Sequence, residues 1–137
     1  MSNYFLLSLV DIQPSQLYIN SAKLAAVRRL WCPPRLESLT PIPVRLLNGR
    51  VVYTDGHTRA FVAYRSGFSR VPVYWDEDDL DWEAYGICVD WCLVAGIRTV
   101  MDLEGRILAP NVYEELWLDR CRRMHDALAA RRASSYR

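Results

Sequence analysis

The chain carries little net charge, only two histidines and no long apolar run. A formal net charge of +1 over 137 residues provides no general attraction to nucleic acid or to anionic lipid. The apolar stretch near the start, YFLLSLV, is too short to cross a membrane, and it lacks the basic leader and the cleavage site of a signal peptide. We therefore expect a cytoplasmic protein that does not associate with membranes.

The chain also lacks a closely spaced cysteine pair of the CxxC type. Its four cysteines are Cys32, Cys88, Cys92 and Cys121. A structural zinc site needs closely spaced pairs of ligands, so no metal site is predicted. Buried thiols in a reducing compartment are the interpretation that we favour.

Lysine is almost absent, since Lys23 is the one lysine among 17 basic residues. Arginine binds carboxylate or phosphate as a planar fork, but a GC-rich genome also favours arginine codons, and composition leaves both explanations open. The acids concentrate in the stretch DEDDLD at 76–81. We interpret this stretch as a solvated loop that precedes a helix N-terminus rather than as a metal site.

Apolar periodicity and turn residues predict a mixture of strands and helices. Strands are predicted at 4–12, 42–47, 51–54 and 71–75, and helices at 22–31, 58–66, 82–95 and from 111 to about 130. Asn48-Gly49 is a typical hairpin turn, Pro72 indicates an edge strand or a bulge, and Asn111 with Glu114 has the spacing of a capping box. The expected fold is a single α+β domain over 1–137, with a small mixed β-sheet, packed helices and a helical C-terminal third.

The turn between the third strand and its helix concentrates chemistry in five consecutive residues. They are Asp55, Gly56, His57, Thr58 and Arg59. A helix N-terminus exposes unpaired N–H groups and attracts anions, a glycine lets the backbone bend, and an arginine binds phosphate in a bidentate manner. The imidazole could donate to an oxyanion or move a proton near neutral pH. A purely structural alternative stays open, in which Asp55 caps the helix, Gly56 shapes the turn and Arg59 forms a surface ion pair.

The stretch from 40 to 75, TPIPVRLLNGRVVYTDGHTRAFVAYRSGFSRVPVYW, resembles the core of the ParB/sulfiredoxin-like superfamily. The shared features are an IPV strand, an NG hairpin, a D-G-H-x-R turn that opens a helix, and a VPV strand. The upstream LVDIQPSQLYIN resembles the opening segment of the same superfamily, so the likeness covers roughly residues 7–75. The helical part at 82–132 matches no motif that we recognise.

Three branches of this superfamily bear on function. Gly56 and Arg59 match the first and last positions of the Gly-Glu-Arg-Arg box with which chromosome-partition ParB proteins bind a nucleoside triphosphate, but His57 and Thr58 replace its middle pair. Sulfiredoxins carry Gly-Gly-Cys-His-Arg, and His57 stands at the position of their catalytic cysteine. Free-serine kinases carry D-G-H-H-R-like turns, and Asp55, Gly56, His57 and Arg59 match them, so that branch is closest by motif.

The resemblance implies a nucleotide-binding domain that takes ATP, ADP or CTP, with Mg²⁺ as an additional cofactor. Gly56, His57, Thr58 and Arg59 would bind the phosphates. Asp55, His57 and Glu37 would be the catalytic residues of a phosphotransferase or a nucleotide hydrolase, with Glu37 as the counterpart of the proposed base of the kinases.

An alternative is a non-catalytic, DNA-associated module of the partition, plasmid or phage type. Such a module would need an Arg-rich face on the last helix, formed by Arg120, Arg122, Arg123, Arg131 and Arg132. The apolar stripe of the same helix, which includes Tyr113 and Trp117, would pack on the domain or form a homodimer.

Overall fold

The computed structural model describes residues 3–135, and this part of the chain contains seven strands and five α-helices. The strands are β1 (Phe5–Ser8), β2 (Ile12–Gln13), β3 (Ile19–Asn20), β4 (Ile42–Leu47), β5 (Arg50–Tyr53), β6 (Arg70–Trp75) and β7 (Ile107–Leu108). The helices are α1 (Ser21–Leu30), α2 (His57–Arg65), α3 (Trp82–Val94), α4 (Pro110–Tyr113) and α5 (Asp119–Ser134). A π-helical turn, Glu114–Leu118, joins the last two helices. The predicted α+β class with a mixed sheet is confirmed.

The main sheet has five strands in the order β1-β6-β4-β5-β2. β4 and β5 form the predicted hairpin, in which Leu47 pairs with Arg50 across the turn. Asn48 and Gly49 both have positive φ, 52° and 78°, as a tight hairpin turn requires. β6 runs parallel to β4 on the other side of the hairpin, and β1 closes that edge in an antiparallel arrangement.

The first predicted strand, 4–12, is divided in the structure. A 3-10 turn at Leu9–Asp11 separates β1 from β2, and the two pieces lie at opposite edges of the sheet. β1 pairs with β6 whereas β2 pairs with β5, so a continuous strand could not satisfy both partners. Of the two alternatives predicted for Pro72, the edge strand is wrong, because β6 lies between β1 and β4. Pro72 is tolerated there because the ladder with β4 begins only at Val73.

One buried cluster joins the sheet to the helices. Ile42 and Val73 of neighbouring strands pack in this cluster with Phe61 of α2, and all three side chains are fully buried. Leu24 of α1 and Cys92 of α3 belong to the same cluster. The helix that follows the candidate turn is therefore held rigidly against the sheet.

The C-terminal part adds a two-stranded parallel sheet, β3 with β7, and the long helical segment from 110 to 134. The predicted capping box is wrong: the helix begins at Pro110, whose fixed φ suits a first helical position, and Asn111 lies inside it. Trp117 packs its ring at 6.0 Å from that of Trp91 in a T-shaped arrangement and is buried. The stripe thus packs within the chain, and a homodimer stays a prediction.

No helix in the described residues combines the length and the apolar character that a membrane crossing needs.

Candidate functional site

The turn that the sequence predicted lies between the end of β5 and the start of α2. Gly56 is the N-cap of α2 and has a left-handed backbone with φ 79°. A Cβ on this residue would lie 2.9 Å from Nη2 of Arg59 and 3.0 Å from Cγ2 of Ile42. Two features therefore favour glycine at this position: the left-handed backbone conformation and the close approach of the neighbouring side chains.

The N-terminus of α2 has no side-chain cap among the described residues. The alternative in which Asp55 caps the helix is wrong: Asp55 precedes the N-cap Gly56, and its Oδ1 accepts a hydrogen bond of 2.8 Å from the amide of Gly56. The hydrogen bond from the Ala60 amide to the Gly56 carbonyl begins the helical pattern, so the amides of residues 57–59 precede it. These amides and the helix dipole make the turn suited to an anion.

Arg59 folds back over the turn instead of forming a surface ion pair. Its Nη1 donates to the carbonyls of Thr40 and Pro41, both at 2.9 Å. The two hydrogen bonds hold the guanidinium next to Gly56, beside the open end of the helix. The positive charge is thus placed in advance, and little side-chain entropy is lost when an anion binds.

His57 is buried, and its geometry does not fit the predicted role in proton transfer. Its Nε2 accepts a hydrogen bond of 2.9 Å from the amide of Ser15, and its ring packs 5.0 Å from that of Tyr53. Burial lowers the pKa of His57 to about 3, with a smaller opposing effect from the carboxylate of Asp55. The imidazole is neutral near pH 7 and ties the segment after β2 to the turn.

Thr58 is 2% exposed. Its hydroxyl is therefore buried, whereas the sequence predicted that Thr58 would contact a phosphate.

A hydrogen-bond network around Thr54, the residue just before the turn, was not predicted from the sequence. Thr54 donates its hydroxyl to Oδ2 of Asp76 at 2.6 Å, while the hydroxyl of Tyr85 donates to the carbonyl of Thr54 at 2.8 Å. Asp76 also accepts from the amide of Asp78. The first acid of the DEDDLD stretch is thus buried and structural, whereas the sequence predicted a solvated loop.

Two cavities meet at Asp55. A cleft of about 680 Å³ lies on the side of Arg59 and is lined by Pro41, Asp55, Arg59, Tyr74, Trp75 and Glu77 among others. A smaller cavity of about 220 Å³ lies on the side of His57, between the turn and the helices α3 and α5. In the described part of the chain, Glu37 is exposed in the 3-10 turn Leu36–Ser38 and lines neither cavity. The structure therefore does not bring Glu37 together with Asp55.

The described residues contain no group of three or more His, Cys, Asp and Glu side chains that could hold a metal ion by themselves. The carboxylates of Asp55 and Glu77 both line the larger cleft. Mg²⁺ usually binds through one or two carboxylates together with the phosphates of a substrate. This donor set therefore fits an ion that arrives with a nucleotide.

The arginines of the last helix are largely paired within the chain. Arg122 contacts Glu114 and Asp119, and Arg132 binds Asp81 through both terminal nitrogens. Glu83 pairs with both Arg131 and Arg132, and Arg120 lies over the ring of Trp91. Three of the five arginines, Arg122, Arg131 and Arg132, therefore have acidic partners, which lowers the positive charge that this face could offer to DNA.

Neither the protein-family models nor the curated proteins gave a match to the chain. Among solved structures, the protein Atu1540 from Agrobacterium tumefaciens is similar at 15% identity and a TM-score of 0.47, over 65% of this chain and 48% of that one. The C-terminally truncated chromosome-partitioning protein ParB from Caulobacter crescentus, complexed with CTP-gamma-S, is similar at 17% identity and a TM-score of 0.44. That match covers 71% of this chain and 54% of the ParB structure, so the chain spans about half the length of the solved proteins that it matches. At such identities the likeness concerns the fold alone.

Proposed function

We propose that this chain is a ParB/sulfiredoxin-like domain that binds the phosphates of a nucleotide, ATP, ADP or CTP, at the turn from Asp55 to Arg59. The ParB/sulfiredoxin-like core would cover 7–75, and the helical part at 82–132 would complete the same domain. The proposal follows the sequence motif together with the geometry of the turn.

The observation that carries the proposal is the arrangement of Gly56 and Arg59 at the uncapped N-terminus of α2. A left-handed glycine begins the helix without a side-chain cap, and the guanidinium lies against that glycine, held by two backbone carbonyls. Arg59 and the neighbouring Asp55 line a cleft whose volume of about 680 Å³ is in the range of small-molecule sites. Amides, a helix dipole and a fixed guanidinium together favour a phosphate group.

The reaction that this arrangement would support is phosphoryl transfer or nucleotide hydrolysis. Such chemistry depends mostly on positioning and on neutralisation of the phosphate charge. Asp55 and Glu77 would hold Mg²⁺ with the phosphates, and the ion would neutralise charge there. Asp55 lines both cavities, so an ion held there would lie between the phosphates and a second substrate in the smaller cavity. His57 would position the turn.

The test is a comparison of ligand-induced thermal stabilisation in wild type, Arg59→Ala and a matched control. ADP, ATP, CTP and inorganic phosphate would be added with and without Mg²⁺, since a ligand that binds only the folded state raises the unfolding temperature. Arg65→Ala is the control, because this substitution removes the same charge from the same helix. Arg65 forms an exposed ion pair with Glu104, away from the turn. We expect a nucleotide to stabilise wild type and Arg65→Ala but not Arg59→Ala.

Two results would count against the proposal. Equal ligand-induced stabilisation of wild type and Arg59→Ala would show that the ligand does not bind at the turn. The absence of any shift at millimolar ligand would remove nucleotide binding itself.

A further inference from the structure

Two of the four thiols meet between the long helices α3 and α5. Cys88 of α3 and Cys121 of α5 both line the smaller cavity, together with Trp117 and Met124. A hydrogen bond joins the two side chains, in which the thiol of Cys88 donates to the sulfur of Cys121. The proposed function makes no use of this pair.

Contacts between the two helices on either side of the thiols determine which residues face each other. Trp91, about one turn after the cysteine of α3, packs its ring at 6.0 Å from that of Trp117, about one turn before the cysteine of α5. In the other direction, Asp81 at the N-cap of α3 binds Arg132 near the end of α5 through both terminal nitrogens. The helices thus run antiparallel, and the two cysteines lie in register between these contacts.

The two sulfurs differ in exposure and in acidity. Cys121 is half-buried, whereas Cys88 is buried. The hydrogen bond from Cys88 lowers the pKa of the Cys121 thiol, burial of this thiol opposes the effect, and the positive charge of Arg120 adds to the lowering. The same hydrogen bond, together with burial, raises the pKa of the Cys88 thiol. Cys121 is therefore the better nucleophile, and Cys88 is a protonated thiol beside it.

We propose that Cys121 is a site of reversible oxidation by a small hydroperoxide, and that Cys88 converts the oxidised sulfur into an intramolecular disulfide. A solvent-accessible thiolate with a second cysteine next to it is the arrangement that redox-sensitive sites use. The inference goes beyond the proposed function and does not depend on nucleotide binding, since it uses only the contact between α3 and α5.

The reaction with hydrogen peroxide proceeds in two steps. The thiolate of Cys121 attacks one oxygen, the O–O bond breaks, and the other oxygen leaves as hydroxide, which takes up the proton of the thiol and becomes water. Cys121 is then a sulfenic acid. Cys88 loses its proton and attacks the sulfur of Cys121, the S–O bond breaks, and the hydroxide leaves with that proton as a second water. The two thiols are oxidised to a disulfide by two electrons, and the peroxide is reduced by the same two electrons.

The test treats the folded wild-type protein with hydrogen peroxide, alkylates the remaining thiols in denaturant and maps the peptides by mass spectrometry. We expect Cys88 and Cys121 to resist alkylation, to appear in one disulfide-linked peptide pair, and to return as thiols when dithiothreitol is added. In Cys88→Ser, Cys121 should stop at the sulfenic acid, which dimedone traps. In Cys121→Ser, Cys88 should stay reduced. Cys92→Ala is the matched control, because this buried cysteine lies about one turn after Cys88 on α3 and its loss should leave the disulfide intact.

Three outcomes would overturn the inference. If peroxide leaves both Cys88 and Cys121 open to alkylation, the pair is not a site of oxidation. A disulfide that includes Cys32 or Cys92 instead would mean that the reaction does not follow the packing of α3 on α5. If Cys121 passes to the sulfinic acid in wild type as readily as in Cys88→Ser, Cys88 does not capture the sulfenic acid. Circular dichroism before treatment shows which variants are folded, and the first two outcomes need only the wild-type protein.

Discussion

Gly56 and Arg59 are in such close contact that a Cβ on residue 56 would lie 2.9 Å from Nη2 of the arginine. Residues three apart on a helix share a face, so the first turn of α2 brings the guanidinium back over the glycine that begins it. The glycine and the arginine of the motif therefore form one structural unit. The bend in the backbone makes room for the charge, and the charge lies beside the first turn of the helix.

Gly56→Ala should destabilise the protein more than the same change at Gly49. Both glycines have left-handed backbones, with φ 79° and 78°, so each alanine pays a strain of about 1–3 kcal/mol in the free energy of unfolding. Only at Gly56 does the added methyl also meet Arg59 and Ile42, since nothing lies within 4 Å of the corresponding position at Gly49. Urea unfolding of the two variants measures the difference, and equal losses would contradict the contact with Arg59.

Thr54→Val should destabilise the fold because it leaves a buried carboxylate oxygen without a partner. Thr54 and Asp76 are both less than a tenth exposed, and the hydroxyl donates to Oδ2 at 2.6 Å. An unpaired buried acceptor costs about 1–3 kcal/mol in the free energy of unfolding. Chemical unfolding of Thr54→Val, Asp76→Ala and the double variant forms a cycle that isolates the pair, because an alanine can neither accept from nor donate to the hydroxyl. Additive losses would show that the hydroxyl and the carboxylate do not act together.

The parts of the fold that the sequence predicted are those whose causes are local. The hairpin at Asn48-Gly49 follows from two residues that tolerate positive φ between two apolar runs. The division of the first strand could not be predicted, because the run from 4 to 12 has uniform β character. What divides it is the position of two partners, β6 and β5, that lie far away in the sequence.

In the candidate site, too, the residues with local causes were predictable and those with distant partners were not. Gly56 and Arg59 were predictable because a glycine before a helix and an arginine one turn later need no distant partner. Asp76 was hidden among neighbouring acids, and its partner Thr54 lies 22 residues away. The burial of His57 could not be predicted because its hydrogen-bond donor, the amide of Ser15, lies 42 residues away. Side chains whose protonation depends on tertiary burial cannot be assigned from a motif alone.

His57 should make the protein less stable as the pH falls below neutral. Its pKa is about 3 in the folded chain against an ordinary value of 6.5. Between these two pH values the imidazole is protonated in the unfolded chain and neutral in the folded chain. The free energy of unfolding is unaffected by the titration of His57 above pH 6.5. It falls as the pH drops from 6.5 towards 3, by at most about 1.4 kcal/mol per pH unit.

His57→Gln removes this titration while it offers an amide oxygen to the amide of Ser15. Between about pH 7 and about pH 5.5, wild type should lose about 1 kcal/mol more of its unfolding free energy than the variant. Urea unfolding at the two pH values measures this difference, in which the titration of the carboxylates cancels. Parallel losses in both proteins would mean that His57 titrates in the folded chain.

Asp55→Asn should change nucleotide affinity in opposite directions with and without Mg²⁺. Without the ion, the carboxylate of Asp55 repels phosphates bound at the neighbouring amides, so its removal should tighten binding. With Mg²⁺, the same carboxylate and that of Glu77 would ligate the ion, so its removal should weaken binding on the order of tenfold.

Glu37→Gln is the matched control, since it also converts an acid into its amide but lies in an exposed 3-10 turn that lines neither cavity. Calorimetric titration of ADP into the three proteins, with EDTA and then with Mg²⁺, measures both effects. A reversal of sign in Asp55→Asn alone would place the ion between this carboxylate and the phosphates. A uniform weakening under both conditions would instead mean that Asp55 acts by holding the amide of Gly56, to which its Oδ1 is bonded at 2.8 Å.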